Sequence, residues 1–273
     1  MTAAESRQQQ PIRVMTYNIH RWEGLDGRLD VPRLAHVIRS AGADVVTLNE
    51  VINPVHLDGH TRDILSELAD RLEMHYAFGA SGWTDASPLW SGPVGNAILS
   101  RYPLTRINNT LLPRPTATKQ RSLFEARLAG GPARELTVFA THLDHAFEGT
   151  RMIQLQAAIR HMRPYGPHVL AGDFNTPGFP GQRTRHVMAP ILFLMRRAGY
   201  RDAFHVAGKG PGHTFPAASP FVRIDYLFLP YRWAGGLRVA HAVGTAAARH
   251  ASDHRPVIAE WSWPEALTIP ASP

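Results

Sequence analysis

Short apolar runs that stop on an acid, an amide or an imidazole recur along this chain, and they constrain its fold more than any other feature. The run at 13–18 ends in Asn18, that at 45–50 in Glu50, that at 138–142 in His142, and that at 169–175 in Asp173 and Asn175. Ile224-Asp225-Tyr226 sets an acid within a further run, and Ser252-Asp253-His254 stands just ahead of the last one, which could run antiparallel and so start at the same rim. Strands sharing one rim would bring these side chains together. Taken singly, each residue has a plainer use. Asn18 and Asn175 suit turns, Asp173 before Thr176, Pro177 and Gly178 suits a tight turn, and Asp253 suits a cap. Glu50 suits a solvated strand end, His142 a buried satisfied imidazole, and Asp225 a partner for Arg223. Their joint recurrence at run ends is what favours a common site.

Runs rich in β-branched residues predict strands over 12–17, 44–48, 94–99, 136–140, 168–171, 222–229 and 256–261, with a further run at 121–128. Helical spacing predicts helices over 31–40, 62–72, 150–162 and 186–197. Asp30 before Val31 and Pro32 reads as an N-cap, and Gly42 and Gly199 as C-terminal stops. Strands linked by both helices and short turns predict a mixed α/β sheet system with helices outside it. One domain over 12–263 is expected, with loose termini at 1–11 and 264–273, which lack apolar periodicity. Gly- and Pro-rich stretches at 79–95 and 208–220, carrying Trp83, Trp90 and Phe215, read with 107–120 as surface loops near a cleft.

The chain has no cysteine, which excludes thiolate metal sites, disulfides and cysteine nucleophiles and leaves oxygen and imidazole as metal ligands. The opening residues lack the apolar stretch of a secretion signal, and no run is long enough to cross a bilayer, so a cytoplasmic protein is expected. A formal net charge of +7 suits anionic partners, but the arginines are scattered, and only Lys119 and Lys209 are lysines.

The ordered motifs Thr-Tyr-Asn-Ile-His (16–20), Leu-Asn-Glu-Val (48–51), Gly-Asn-Ala-Ile-Leu-Ser-Arg-Tyr-Pro (95–103), Thr-His-Leu (141–143), Gly-Asp-Phe-Asn (172–175), Ile-Asp-Tyr (224–226) and Ser-Asp-His (252–254) resemble the endonuclease/exonuclease/phosphatase, or deoxyribonuclease I-like, superfamily. The resemblance implies a four-layer α/β-sandwich, with two mixed β-sheets packed face to face, helices outside and a Mg²⁺ site at one end. It implies Glu50 as principal metal ligand, supported by Asn18 and Asp253. It also implies His254 on the scissile phosphate with Asp225 orienting it, Asp173 and Asn175 on the attacking water and phosphate, and His142 in proton transfer or phosphate stabilisation. Asn49 stands where that family usually has glutamine.

Magnesium, with Mn²⁺ as the alternative ion, suits such oxygen donors because it keeps several waters and needs only one or two carboxylates. Arg121, opening the run at 121–128, reads either as a substrate-phosphate ligand or as a surface strand residue. The expected activity is a Mg²⁺-dependent phosphodiesterase on a small or lipid-linked phosphate ester. A DNA or RNA nuclease is the alternative, which the lack of a lysine- and arginine-rich loop set disfavours. A catalytically silent binding module on the same scaffold is the third reading, and the complete set of acids and histidines argues against it. Contact with a lipid headgroup fits the first reading, and oligomeric state is not legible.

Overall fold

The computed structural model describes residues 11–57, 59–84, 90–115, 117–178 and 189–262. The expected leader at 1–11 lies outside these residues except for Pro11, and the tail at 264–273 lies wholly outside them. One sheet has eight strands and follows the order β13 (Leu237–Ala242), β14 (Val257–Trp261), β1 (Ile12–Asn18), β2 (Val45–Ile52), β6 (Trp90–Ser100), β3 (Val55–Leu57) and β4 (His60–Arg62), with β5 (His75–Thr84) also paired to β6. The second has six, in the order β11 (Tyr200–Asp202), β12 (Arg223–Pro230), β10 (His168–Gly178), β9 (Thr137–His142), β8 (Ser122–Leu128) and β7 (Leu104–Leu111). Both are mixed: β1 and β2 pair in parallel, as do β9 and β10, while β1 and β14 run antiparallel.

The period-2 alternation of each strand builds the layers. Val14, Val138, Ala140, Val169 and Ala171 turn into the apolar layer between the sheets. Their neighbours Met15 and Tyr17 face a second cluster, with Leu34 and Ile38 of α1 (Val31–Ala41) and Leu65 and Leu68 of α2 (Ile64–Leu72). On the other outer face, Phe139 and Leu170 pack with Leu155 and Ile159 of α3 (Glu148–Met162) and Met195 of α4 (Pro190–Arg197). Helix, sheet, sheet, helix is therefore the four-layer sandwich expected. No helix among the described residues is long and apolar enough to cross a membrane.

Capping follows the local sequence. Asp30 accepts from the Arg33 amide at 2.9 Å, and Gly42 closes α1 in the left-handed conformation, with φ of 66°. Gly199, at φ of 88°, follows α4 in the same way. The helix expected over 62–72 starts two residues later, because Arg62 belongs to β4 and Asp63 caps the Ser66 amide at 2.8 Å. Residues 186–188 of the helix expected over 186–197 lie outside the described residues.

Two expected loops are strands. The glycine-rich stretch 79–95 contains the ends of β5 and β6, where Gly79 and Gly95 let the backbones approach so closely that a Cβ on Gly95 would meet the Gly79 carbonyl. Residues 85–89 of that stretch lie outside the described ones. The first part of 107–120 belongs to β7, a sheet edge whose half-exposed polar residues give no apolar alternation.

Candidate active site

The parallel register that sets Asp173 beside His142, and the antiparallel register that sets Asp173 opposite Asp225, bring three functional side chains to one end of the second sheet. Asn18, at the end of β1, crosses from the first sheet and donates from Nδ2 to Asp173 Oδ2 at 3.1 Å. The turn before β14 brings His254 to the same place, with Nδ1 at 2.9 Å from Asp225 Oδ2 and Nε2 at 3.7 Å from Asp173 Oδ2. Asp253 Oδ1 lies 3.9 Å from His254 Nε2. His142 Nε2 lies 3.5 Å from Asp173 Oδ2 and its Nδ1 4.0 Å from Glu50 Oε1. Glu50 and Asp253 are thus joined through His142, Asp173 and His254 in steps of 4.0 Å or less. Asn175 completes the group, donating from Nδ2 to the Leu143 carbonyl at 3.0 Å and lying 2.9 Å from His142 Nε2.

Backbone strain marks two of these positions. Glu50 has φ of 57°, a left-handed value uncommon for glutamate, and Asn175 has φ of 49°, which asparagine adopts more readily; such values cluster at functional sites. Around Glu50 the β2–β6 register slips between Leu48 and Val51. Such a bulge re-aims a side chain, and Glu50 lines a cleft shared with Asn96 and His142.

Burial separates the charges. Asp173, Asp225 and His254 are buried, whereas the side chains of Glu50 and Asp253 are 25% and 31% exposed, open to an incoming ion or substrate. Burial raises the Asp173 carboxyl above the usual carboxylate range; His254 opposes the rise and Asp225 adds to it. For His254, burial alone would favour the neutral ring, but the carboxylates of Asp225 and Asp173 outweigh it and hold the imidazole protonated above its ordinary range. His142 goes the other way: burial, then Arg121, pushes it well below the ordinary histidine value. Its neutral ring therefore accepts at Nε2 from Asn175, leaving the Nδ1 proton toward Glu50. Two histidines that flank the same Asp173 oxygen thus favour opposite protonation states.

The donor set suits a hard cation. It is oxygen and imidazole throughout, and Asp225 Oδ1 is buried without a hydrogen-bond partner among the described residues. The buried trio Asp173, Asp225 and His254 lies close enough to bracket an ion, but its imidazole is committed to Asp225. The part-exposed carboxylates of Glu50 and Asp253 are the more accessible to an ion. Asp225 is no partner for Arg223, which pairs with Asp202 at 2.9 Å.

Four supporting residues escaped the reading of strand ends. Asn49, fully buried, donates from Nδ2 to Asn96 Oδ1 at 2.8 Å and to the Thr141 carbonyl at 2.9 Å, and its Oδ1 accepts from the Asp173 amide at 2.9 Å. Asn96 is buried beside it, within the Gly-Asn-Ala-Ile-Leu run. Ser252 donates from Oγ to the Asn18 carbonyl at 2.7 Å and accepts from the His254 amide at 3.2 Å. Arg21, in the left-handed conformation, places Nε 3.4 Å from Glu50 Oε2. The signal for Asn49 and Asn96 was an amide inside an otherwise apolar run; Arg21 carried none.

A four-layer α/β-sandwich whose strands end in such a rim of acids, amides and imidazoles defines a class of hydrolases that act on phosphate esters. The chain belongs to the endonuclease/exonuclease/phosphatase family, whose model matches residues 15–254. Members of this family are generally metal-dependent phosphoesterases. The uncharacterized protein YbhP of Escherichia coli is 28% identical over 265 residues, 94% of this chain and 98% of YbhP. The structure of an endonuclease/exonuclease/phosphatase from Beutenbergia cavernae is similar with a TM-score of 0.73 and 25% identity, covering 93% of this chain and 72% of the other. A 3′ phosphatase from Neisseria, NExo, bound to a product DNA hairpin, shares the fold with a TM-score of 0.66 and 18% identity, covering 92% of this chain and all of the other (100%).

Proposed function

We propose that this protein is a Mg²⁺-dependent phosphodiesterase acting on a small or lipid-linked phosphate ester. The observation that carries the reading is the buried Asp225–His254–Asp173 chain set beside the part-exposed carboxylates of Glu50 and Asp253. Glu50 and Asp253 would hold the ion, with the amide of Asn18 in support. A bound Mg²⁺ supplies polarisation of the phosphoryl oxygen and stabilisation of the leaving oxygen.

The chain's own residues do the rest. Asp225 anchors Nδ1 of His254, so the imidazolium presents Nε2 as a fixed charged donor to a phosphoryl oxygen, a contribution of about 3 kcal/mol by analogy with a single oxyanion donor. Asp173 holds and deprotonates the attacking water, and burial, by raising its proton affinity, suits it to that task. Asn175 fixes neutral His142, which stabilises the phosphate from the Glu50 side.

Hydrolysis of bis-p-nitrophenyl phosphate with Mg²⁺, against an EDTA control, tests the activity. Asp173→Asn is expected to lower turnover at least about 10³-fold while calorimetric Mg²⁺ affinity stays nearly unchanged; near-normal turnover would remove Asp173 from the role. Cleavage of plasmid, single-stranded DNA or RNA at low salt would move the assignment to a nuclease.

A further inference from the structure

One cleft beside the site carries more positive charge than a phosphodiester needs. It has a volume of about 240 Å³, opens from the Glu50 and His142 edge, and includes Arg21, Arg114, Lys119 and Arg121 among its walls, with Glu50 as the one acid among the described residues that line it. Arg21 already pairs with that acid. Arg114, Lys119 and Arg121 have no ion-pair partner among the described residues, and Arg121 Nε is buried without a hydrogen-bond partner.

The backbone that carries three of these cations is clamped at the root of their loop. The β7–β8 hairpin is extended by the Leu112 amide donating to the Arg121 carbonyl at 2.9 Å, and Gln120 Nε2 donates to the carbonyls of Leu112 at 2.7 Å and Arg121 at 2.9 Å. Arg114 and Lys119 therefore stand on a clamped hairpin end, with Arg121 at its root. Three unpaired cations around one cleft repel each other, and a half-buried guanidinium without an anion forgoes its strongest hydrogen bonds. A phosphodiester carries one negative charge, and a divalent ion at Glu50 would add to the positive excess.

We propose that this cleft binds a second anionic group of the substrate, a phosphate or carboxylate, with Arg114 and Lys119 as its specificity-determining residues and Arg121 between it and the scissile phosphate. The proposal rests on the phosphoesterase reading, and narrows the substrate to phosphate esters bearing another anion.

The test compares phenyl phosphate with 4-carboxyphenyl phosphate, which differ by one carboxylate, in calorimetric titrations of the full chain with Mg²⁺. The wild type is expected to bind the carboxylated ester about tenfold more tightly, a preference that shrinks as salt rises. Arg114→Gln/Lys119→Gln should reduce the preference to about twofold or less, each single variant part of the way. Arg160→Gln/Arg163→Gln, which removes the same formal charge at the end of α3, should keep it. Equal affinities in the wild type, or an undiminished preference in the cleft variant, would overturn the proposal. Turnover of bis-p-nitrophenyl phosphate, measured alongside, reports the phosphoesterase reading separately. A preference without turnover leaves the anion site and removes the enzyme; turnover without a preference does the reverse.

Discussion

His254 and His142 are the same side chain put to opposite uses by their surroundings. Both are buried, and burial alone would leave both neutral. Asp225 and Asp173 reverse the outcome for His254 only, while Arg121 reinforces it for His142. Because the folded-state value of His254 is raised, its protonated form persists as pH climbs past the ordinary histidine range. Asp225→Asn removes the leading carboxylate, so the alkaline limb of kcat/KM should move to lower pH. Activity on bis-p-nitrophenyl phosphate is expected to fall about 10²-fold at pH 8.5 and much less at pH 6. A uniform loss at both pH values would show that Asp225 serves something other than the charge on His254.

At the scale of elements, the site depends on how two sheets are pinned to each other. Asn49 of β2 reaches β6 through Asn96, β9 through the Thr141 carbonyl and β10 through the Asp173 amide. Asn49→Ala would strand a buried amide and two buried acceptors, at a cost of about 2–4 kcal/mol. Urea denaturation should show that loss as a lower midpoint with an unchanged slope; a change under about 0.5 kcal/mol would mean that the pin is dispensable. Gly172 belongs to the same junction. It has φ of 150°, and a Cβ there would collide with the Thr141 carbonyl, so the glycine of Gly-Asp-Phe-Asn lets β9 and β10 lie close enough to set His142 beside Asp173. The strands that end in the site residues were legible because they are short apolar runs rich in β-branched residues, buried almost throughout. The edge strands β7 and β13 were not, since half of an edge strand faces water and tolerates Thr, Arg and Asn. Strand β5 and the start of β6 were also hidden, because close backbone approach needs small residues that otherwise signal turns.

Across the whole molecule, pH acts on stability through buried histidine as well as on the site. His168, at the start of β10, lies 2.8 Å from the Gly166 carbonyl through Nδ1 and 2.8 Å from the Tyr200 hydroxyl through Nε2. A neutral ring satisfies both, donating to the carbonyl and accepting from the hydroxyl, which burial pushes up to about 12. Burial pushes His168 itself down to about 4, against the opposing hydrogen bond to Gly166. Between that value and 6.5 the unfolded chain binds a proton that the folded one refuses. Stability from this residue is therefore complete above pH 6.5, is lost as pH falls toward 4, and levels off below it. The loss amounts to at most about 3 kcal/mol. Urea midpoints at pH 7 and pH 5 should differ less in His168→Gln than in the wild type; parallel shifts would assign the acid sensitivity elsewhere.

The order of polar residues at the ends of apolar runs pointed, without coordinates, to a mixed sheet system and to eight side chains at one rim, because a period-2 strand commits its apolar faces to the core and leaves its chemistry to its end; the four-layer sandwich came from the resemblance those motifs carry. Tertiary structure alone decided how those side chains differ in charge and exposure. Which histidine keeps its proton, which carboxylates stay open to an ion, and which amides bolt the sheets together depend on distances between residues far apart in the chain, and electrostatics and hydrogen bonding act through space. The cationic cleft belongs to the same category: Arg21, Arg114, Lys119 and Arg121 look scattered in order, and only the closing of the β7–β8 hairpin over the first sheet makes them neighbours.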